Sequence, residues 1–194
     1  HDQRHRSAGR GFTPGAIGSM RVLGISGWSG CGKTTLIVAL IPWLRARGLT
    51  VSTLKHAHHD VDLDRPGKDT FRHREAGAQE VMLATGRRWA LLHELREEPE
   101  PGLEALLTHL QPVDLVLVEG WKRHPYPKLE IWRPIAEDPP PPRFPQDLSI
   151  IAVASVLPLD PSRYGRPGLP TLALNDPEGI AHFIVDEMMP GAPQ

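Results

Sequence analysis

Residues 20–36 of this 194-residue chain read MRVLGISGWSGCGKTTL, and most of what can be said about its architecture starts there. The apolar, β-branched run at 21–26 predicts a buried strand. The next eight residues, 27–34, read GWSGCGKT and fit the phosphate-loop pattern G-x-x-x-x-G-K-[ST]. Residues 33–47 then predict a helix that ends at Gly48. Strand, glycine-rich loop and helix, in this order, are the context that the pattern requires.

The loop pattern predicts a nucleotide site. Successive backbone N–H groups of such a loop point inward at phosphate oxygens, and the N-terminus of the following helix adds its dipole. Lys33 is expected to reach the β- and γ-phosphates and the Thr34 hydroxyl to coordinate Mg²⁺. We interpret Cys31 as a loop residue whose backbone serves the phosphates; a helix N-terminus can lower the pKa of a thiol, so modification of this thiol is expected to block the site. The predicted nucleotide-binding residues of the loop are Gly27, Ser29, Gly30, Cys31, Gly32, Lys33, Thr34 and Thr35.

A second acidic group is expected near Mg²⁺ or an attacking water, and VDLVLVEG at 113–120 offers one. The predicted strand at 113–118 delivers Glu119 at its carboxyl end, where ligands bind in open α/β sheets. Glu119 is therefore the candidate magnesium ligand, directly or through water, and the candidate catalytic residue. The alternative is a solvated carboxylate at a strand end. Asp114 lies at the other end of the strand, about 17 Å away at ~3.3 Å per residue, and is interpreted as a turn or cap residue.

A polar, histidine-rich loop follows the second predicted strand, 49–54, and begins KHAHHD at 55–60. Three interpretations of it stay open. In the first, it is a switch-like loop whose Lys55 and His56 hold the nucleotide's phosphates while an aspartate, with Asp62 as the candidate, joins the Mg²⁺ ligands. In the second, His58 and His59 with a nearby aspartate bind a transition metal. In the third, it is an exposed polar loop.

The rest of the chain alternates predicted strands with predicted helices. Helices are predicted at 69–77, at 101–110 and from the cap signal Asn175-Asp176-Pro177 to about residue 188; strands are predicted at 80–84, 89–93, 128–132, 149–155 and 171–174. This alternation predicts an α/β fold of the P-loop NTPase type, with a mainly parallel twisted sheet and helices on both faces. The strand at 128–132, KLEIW, alternates apolar and polar residues and is expected to be half exposed. Pro42 is expected to kink the first helix.

The chain is expected to form one domain, residues 20–190, behind a disordered extension or expression remnant at 1–19. Residues 134–145 form an irregular segment that holds six of the 21 prolines. We interpret this segment as an irregular connection or an assembly surface, with an SH3-type ligand as the alternative.

Composition excludes several classes of protein. The 22 basic and 23 acidic residues give a net charge of -1, which argues against a nucleic-acid binder because such proteins need a basic excess. The sequence shows no apolar run of roughly 18 residues, so no membrane span is expected. The single cysteine excludes a disulfide within the chain. A cytoplasmic globular protein is expected.

Several segments together resemble one known family. In order along the chain they are GISGWSGCGKTTL, KHAHHDVDLDRPGKDT, DLVLVEGWK, KLEIWR, SIIAVAS and LNDPEGIAHFI. They closely resemble the molybdopterin-guanine dinucleotide biosynthesis adapter proteins, the MobB family, over roughly residues 21–188. The phosphate loop alone would indicate only a very large superfamily, whereas KHxHH followed by PGKDT and VEGWK is much more specific.

The resemblance implies a homodimeric GTP-binding adapter with at most a weak GTPase activity. It implies a molybdenum cofactor guanylyltransferase as partner, with molybdopterin or its carrier protein as a further candidate. By position, residues 27–35 would hold phosphates, Thr34 and Glu119 would serve Mg²⁺, and residues 55–69 would line the site. The strand KLEIWR and the proline-rich segment would be available for dimer or partner contact.

Guanine preference rests on the resemblance, because the chain lacks the Asn-Lys-x-Asp motif by which GTP-binding domains usually read the base. Asn175-Asp176 is interpreted as a helix cap, with a base contact as the alternative. Two other functions stay open: a P-loop small-molecule kinase that uses ATP, and a nucleotide-gated scaffold whose output is a conformational change.

Overall fold

The computed structural model describes residues 16–57, 61–121, 123–134 and 137–190. The chain divides into two compact units, one made of residues 1–56 and 109–194 and the other of residues 57–108. The elements, in chain order, are β1 Ala16–Ile17, β2 Met20–Gly27, α1 Lys33–Ala46, β3 Val51–Lys55, α2 Asp69–Glu75, β4 Glu80–Ala84, β5 Trp89–His93, α3 Leu103–Leu107, β6 Leu115–Glu119, β7 Lys128–Trp132, β8 Ile150–Ser155, a 3₁₀ turn Pro161–Tyr164, β9 Thr171–Ala173 and α4 Pro177–Met188.

The larger unit is built on a sheet with the strand order β3-β6-β2-β7-β8-β9. All five pairings along this order are parallel, and β1 adds to the start of β2 as an antiparallel neighbour. The predicted α/β fold with a mainly parallel sheet is confirmed. Because β3, β6 and β2 are parallel neighbours in the sheet, their carboxyl ends share one edge.

One face of this sheet is packed against α1 and α4. Leu36, Leu40 and Leu44 recur every four residues along α1, and Ile180 and Ile184 do so along α4, so each helix turns one apolar side inward. The sheet residues in the same core are Leu23, Ile25, Leu115, Leu117, Leu129, Ile131, Ala152 and Ala154. This packing holds the N-terminus of α1 next to the carboxyl end of β2.

The strand β7 corrects one expectation, since all five of its residues are buried rather than half exposed. Its two charged side chains find partners inside the protein. The Lys128 ammonium donates to the His124 carbonyl at 2.9 Å and lies 3.1 Å from Asp147. The Glu130 carboxylate accepts the backbone N–H groups of Arg143 and Phe144 at 2.7 and 2.8 Å. Buried charges are tolerated only with such partners. His124 precedes β7 in the chain, whereas Asp147, Arg143 and Phe144 follow it.

Burial changes the pKa of the Glu130 carboxyl. Removal from water raises the pKa of this carboxyl above its usual range, although the two backbone N–H donors act in the opposite direction. Phe144, from the same proline-rich segment, is fully buried in a cluster with Trp132, Ile150 and Val153. Phe144 therefore covers part of the face of the sheet opposite α1 and α4.

The smaller unit contains α2, the antiparallel hairpin β4–β5 and α3. The Arg74 guanidinium holds it together locally, with Nη1 2.9 Å from Glu94 and Nη2 2.9 Å from Asp62. The hairpin strands lie where the sequence predicts them. The predicted helix at 101–110 is shorter, because Gly102 is extended and Thr108 closes the last turn on the Ala105 carbonyl.

Three further expectations concern the N-terminal residues, Pro42 and membrane-spanning helices. Residues 1–15 of the predicted extension lie outside the described ranges, and residues 16–17 pair with the start of β2. Pro42 lies inside α1. None of the helices in the described parts of the chain combines the length and the apolar character needed to cross a bilayer.

Candidate functional site

The phosphate loop joins β2 to α1 at the carboxyl edge of the sheet. Its glycines adopt positive φ angles, with Gly27 at 147°, Gly30 at 75° and Gly32 at 98°. These backbone conformations are rarely open to other residues, and they let consecutive N–H groups turn to one side. Within the described chain, no side chain caps the N-terminus of α1 and no acidic residue occupies its first turn. The amides at this end are therefore suited to an anion.

Lys33 lies in the first turn of α1 and folds back over the loop. Its Nζ donates to the carbonyl of Gly27 at 3.1 Å and to that of Trp28 at 2.9 Å. The ammonium is thus held on the loop itself, where a phosphate-binding lysine belongs. Ser29 and Thr35 are exposed beside it.

Thr34 and Glu119, 85 positions apart in sequence, meet at this edge. The Thr34 hydroxyl lies 2.9 Å from Oε1 and 3.0 Å from Oε2 of Glu119. The Lys55 ammonium lies 3.6 Å from Glu119 Oε1, and the Glu119 side chain is only 12% exposed. A hydroxyl and a carboxylate are the oxygen ligands that Mg²⁺ prefers, so the residues present fit a magnesium ion that accompanies a polyphosphate.

The carboxyl ends of β3 and β6 are locked together by the backbone. The His56 N–H donates to the Glu119 carbonyl at 2.8 Å. Gly120 follows with φ of 99°, and a Cβ there would lie 2.7 Å from the His56 carbonyl oxygen. The His56 ring lies against Trp121, with ring centroids 4.5 Å apart. Lys55, His56 and Glu119 are therefore placed together by close backbone approach at a glycine.

Cys31 departs from the expected chemistry. Its thiol is buried, and burial raises its pKa, although Lys33 and Arg133 act in the opposite direction. The expected lowering of the thiol pKa by the helix N-terminus is therefore wrong. Cys31 is a packing residue of the loop.

Sequence reasoning missed three contacts that support the loop from outside. The Arg133 Nε–H donates to the Cys31 carbonyl at 2.8 Å. The Trp28 indole N–H donates to the Pro141 carbonyl at 2.8 Å, and the Arg143 guanidinium lies over the Trp28 ring, 4.3 Å from its centroid. For Arg133 a signal existed, because it directly follows a predicted strand and so belongs at the ligand edge of the sheet. Contacts across 113 positions, as between Trp28 and Pro141, leave no local pattern.

The histidine-rich loop is described only in part. His58, His59 and Asp60 lie outside the described residues, and so does any metal site built on them. Among the residues that are described, no group of three or more His, Cys, Asp or Glu side chains could hold a metal ion. Asp62 lies in the smaller unit, where it pairs with Arg74.

Two interpretations of acidic residues outside the site agree with the structure. Asp114 accepts the backbone N–H and hydroxyl of Thr50 at 2.7 and 2.6 Å, joining the starts of β3 and β6. These bonds hold the pKa of Asp114 below its usual range. Asp176 caps α4 by accepting the Gly179 N–H at 3.0 Å.

Comparison with protein families gives one match that spans most of the chain. A family model described as "Molybdopterin guanine dinucleotide synthesis protein B" (MobB) matches residues 22–156. A molybdopterin-guanine dinucleotide biosynthesis adapter protein of Escherichia coli K12 is 41% identical over 169 residues, covering 86% of this chain and 93% of the relative. One of the same name from Haemophilus influenzae is 43% identical, covering 73% of this chain and 78% of the relative.

Solved structures give the same picture at the level of the fold. A crystal structure of molybdopterin-guanine biosynthesis protein B aligns with a TM-score of 0.63 and 25% identity, covering 86% of this chain and 99% of the other. A MobB homologue from Bacillus stearothermophilus aligns with a TM-score of 0.60 and 23% identity, covering 86% and 97%. The chain is thus similar to these proteins along nearly their whole length.

Proposed function

This chain belongs to the MobB family, and from that premise we propose that it binds GTP with Mg²⁺ at the phosphate loop and assists the guanylyltransferase that forms molybdopterin guanine dinucleotide. Its role as an adapter in this biosynthesis follows from the family. The nucleotide, the metal ion and the particular partner enzyme are the proposal. The adapter role is favoured over a small-molecule kinase because the relatives that cover the chain are named adapters.

One observation carries the nucleotide proposal: the Thr34 hydroxyl and the Glu119 carboxylate converge at 2.9–3.0 Å beside a loop of left-handed glycines. The loop amides and Lys33 would hold the phosphates, with Ser29, Thr35, Lys55 and His56 around them. Thr34 and Glu119 would hold Mg²⁺, which neutralises charge on the phosphate oxygens when it is bound. Asp62 stays a candidate metal ligand.

The activity proposed is binding, with slow hydrolysis at most. We expect GTP turnover slower than about once per minute, whereas typical enzymes turn over ~10 times per second. Isothermal titration with GTP, ATP and GDP, each with and without Mg²⁺, tests the proposal. Preference for GTP with Mg²⁺ would support it. Preference for ATP, together with phosphate transfer to a metabolite, would refute the adapter role and favour a kinase.

The proposed partners follow from the same premise. They are the guanylyltransferase, with molybdopterin or its carrier protein as a further candidate, in the cytoplasm. A pull-down with the purified enzyme and an assay of dinucleotide formation, each with and without GTP, test this assignment. Enzyme activity that is the same with and without the adapter would contradict it.

A homodimer is also proposed, and the β4–β5 hairpin offers an apolar surface for it. Met82 pairs with Leu91 and Ala84 with Trp89, so these side chains share one face. Met82, Leu91 and Trp89 are 62%, 40% and 61% exposed, and contiguous apolar patches on soluble proteins mark interaction sites. Sedimentation should show a dimer that Met82→Asp weakens. Leu63→Asp, at an exposed apolar position outside the hairpin, is the control.

A further inference from the structure

Arg133 contacts the phosphate loop, although no sequence motif of a nucleotide site includes it. It directly follows β7, the neighbour of β2 in the sheet. Its Nε–H donates to the Cys31 carbonyl of the phosphate loop at 2.8 Å. We propose that Arg133 is a positioning residue for nucleotide binding: by holding the Cys31 carbonyl outward, it fixes the Gly32 N–H toward the phosphates.

The geometry of one peptide unit links Arg133 to the Gly32 N–H. The bond between Cys31 and Gly32 is trans and planar, so its C=O and its N–H point in opposite directions. A donor that fixes the carbonyl on the outer side of the loop therefore fixes the amide on the inner side. The amides of such a loop are the groups that cradle phosphate oxygens. Arg133 thus acts on the phosphates through Gly32.

A second observation places the guanidinium close to Gly32. A Cβ added at Gly32 would lie 3.3 Å from Arg133 Nη2 and 3.6 Å from its Nε. The arginine side chain thus lies along the loop backbone at its last glycine, where φ is 98°. A glycine in this conformation can rotate its peptide planes with little steric resistance, so an outside hydrogen bond is what selects one orientation.

The inference rests on the proposed function, because it assumes that the loop binds phosphates. It adds a residue from a different strand and gives it a role that differs from the role of Lys33. Lys33 supplies charge to the ligand, whereas Arg133 supplies the orientation of a backbone donor. The two roles predict different responses to substitution.

Two variants separate the hydrogen bond of Arg133 from its charge. In Arg133→Gln, the amide nitrogen is bonded to Cδ, as Nε is in arginine, so an N–H can reach Cys31 without a positive charge. Arg133→Met has a side chain of similar length with neither donor nor charge. Arg163→Gln and Arg163→Met are the matched controls, since the Arg163 side chain is 82% exposed and these variants remove the same charge.

Affinity for GTP and for inorganic tripolyphosphate, each with Mg²⁺, is measured for all five proteins by titration calorimetry. Tripolyphosphate has no base, so a loss shared by both ligands lies in phosphate binding. We expect Arg133→Met to weaken both about tenfold, the value of one charge-assisted hydrogen bond at the low end of its range. We expect Arg133→Gln to stay within about threefold of the parent protein. The Arg163 variants should bind normally.

Thermal unfolding of the unliganded proteins separates positioning from general stability. If Arg133 serves only the fold, its variants will unfold at lower temperature and, once folded, bind tripolyphosphate as the parent does; this result overturns the inference. Equal losses in Arg133→Gln and Arg133→Met also overturn it, because they would mean that charge alone matters. A parent protein that binds neither GTP nor tripolyphosphate would instead refute the proposed nucleotide function, and the inference with it.

Discussion

Gly120 offers a sharp test of how the site is assembled, because the chain contains a matched control for it. Gly120 and Gly48 both lie in the larger unit and both have positive φ angles, 99° and 79°. A Cβ at Gly48 would meet nothing within 4 Å, whereas a Cβ at Gly120 would lie 2.7 Å from the His56 carbonyl oxygen. Replacing each by alanine separates backbone strain from steric contact.

The expected magnitudes follow from these distances. A side chain in the left-handed region costs about 1–2 kcal/mol, and the loss of glycine's freedom in the unfolded chain is common to both variants. Only Gly120→Ala also forces the His56 backbone away, since ordinary contacts begin near 3.4 Å. Overpacking of this kind adds about 1–3 kcal/mol. Gly120→Ala should therefore be less stable than Gly48→Ala by about 1–3 kcal/mol.

Urea and thermal unfolding of the two variants measure this difference. For a protein of this size it corresponds to a gap of roughly 2–12 °C in Tm. Displacement of His56 also strains its 2.8 Å bond to the Glu119 carbonyl, so Gly120→Ala should weaken the Mg²⁺ dependence of nucleotide binding and Gly48→Ala should not. Equal stability of the two variants would refute the close approach at Gly120 and the locking of β3 to β6 argued from it.

Four further outcomes are expected. Lys33→Ala should abolish measurable nucleotide binding in calorimetry with little change in thermal unfolding, and unchanged affinity would remove the motif assignment. Glu119→Gln should weaken Mg²⁺ dependence more than nucleotide affinity, so identical metal titrations of the parent protein and this variant would show that Glu119 is not a magnesium ligand. Because burial raises the pKa of the Cys31 thiol, iodoacetamide at neutral pH should react on the order of tenfold or more slowly with the folded than with the urea-unfolded protein; equal rates would contradict burial. The bonds from Thr50 lower the pKa of Asp114, so the folded state binds fewer protons there than the unfolded state does. The resulting stability is fully present above the ordinary aspartate pKa and is lost as pH falls through the lowered pKa of the folded state. Asp114→Asn should therefore show a shallower loss of stability as pH falls from about 5 toward 2 in urea unfolding, and parallel pH profiles would argue against this contribution.

Local patterns predicted the framework of the protein because each depends on neighbours in sequence. The phosphate loop is a fixed spacing of a few residues, and the strands at 80–84, 89–93 and 128–132 have the bounds that the sequence predicts. The meeting of Thr34 with Glu119 was also foreseeable. Parallel strands present their carboxyl ends at one edge, so two residues that end or follow such strands come close.

Long-range partners account for what the sequence did not reveal. KLEIW looks half exposed because Lys and Glu alternate with apolar residues. Lys128 and Glu130 are nevertheless buried, since residues 143–147 bring donors and an acceptor to them. The expected pKa of the Cys31 thiol was wrong for a related reason, because burial of the thiol outweighs the effects of Lys33 and Arg133. Amino-acid composition and local sequence patterns do not indicate such long-range partners.

The proline tract at 139–142 determines which sequences can cover the face of the sheet opposite α1 and α4. Four consecutive prolines contribute no backbone N–H groups, so this stretch has only carbonyls to satisfy. The indoles of Trp28 and Trp132 donate to the carbonyls of Pro141 and Pro140 at 2.8 and 2.9 Å. Every replacement of a proline would introduce an amide that must find water or an acceptor. Substitutions in this tract should therefore be tolerated best at the exposed Pro140 and Pro141 and least at the buried Pro142. The tract contains no helix or strand, yet it restricts replacement of proline by other residues.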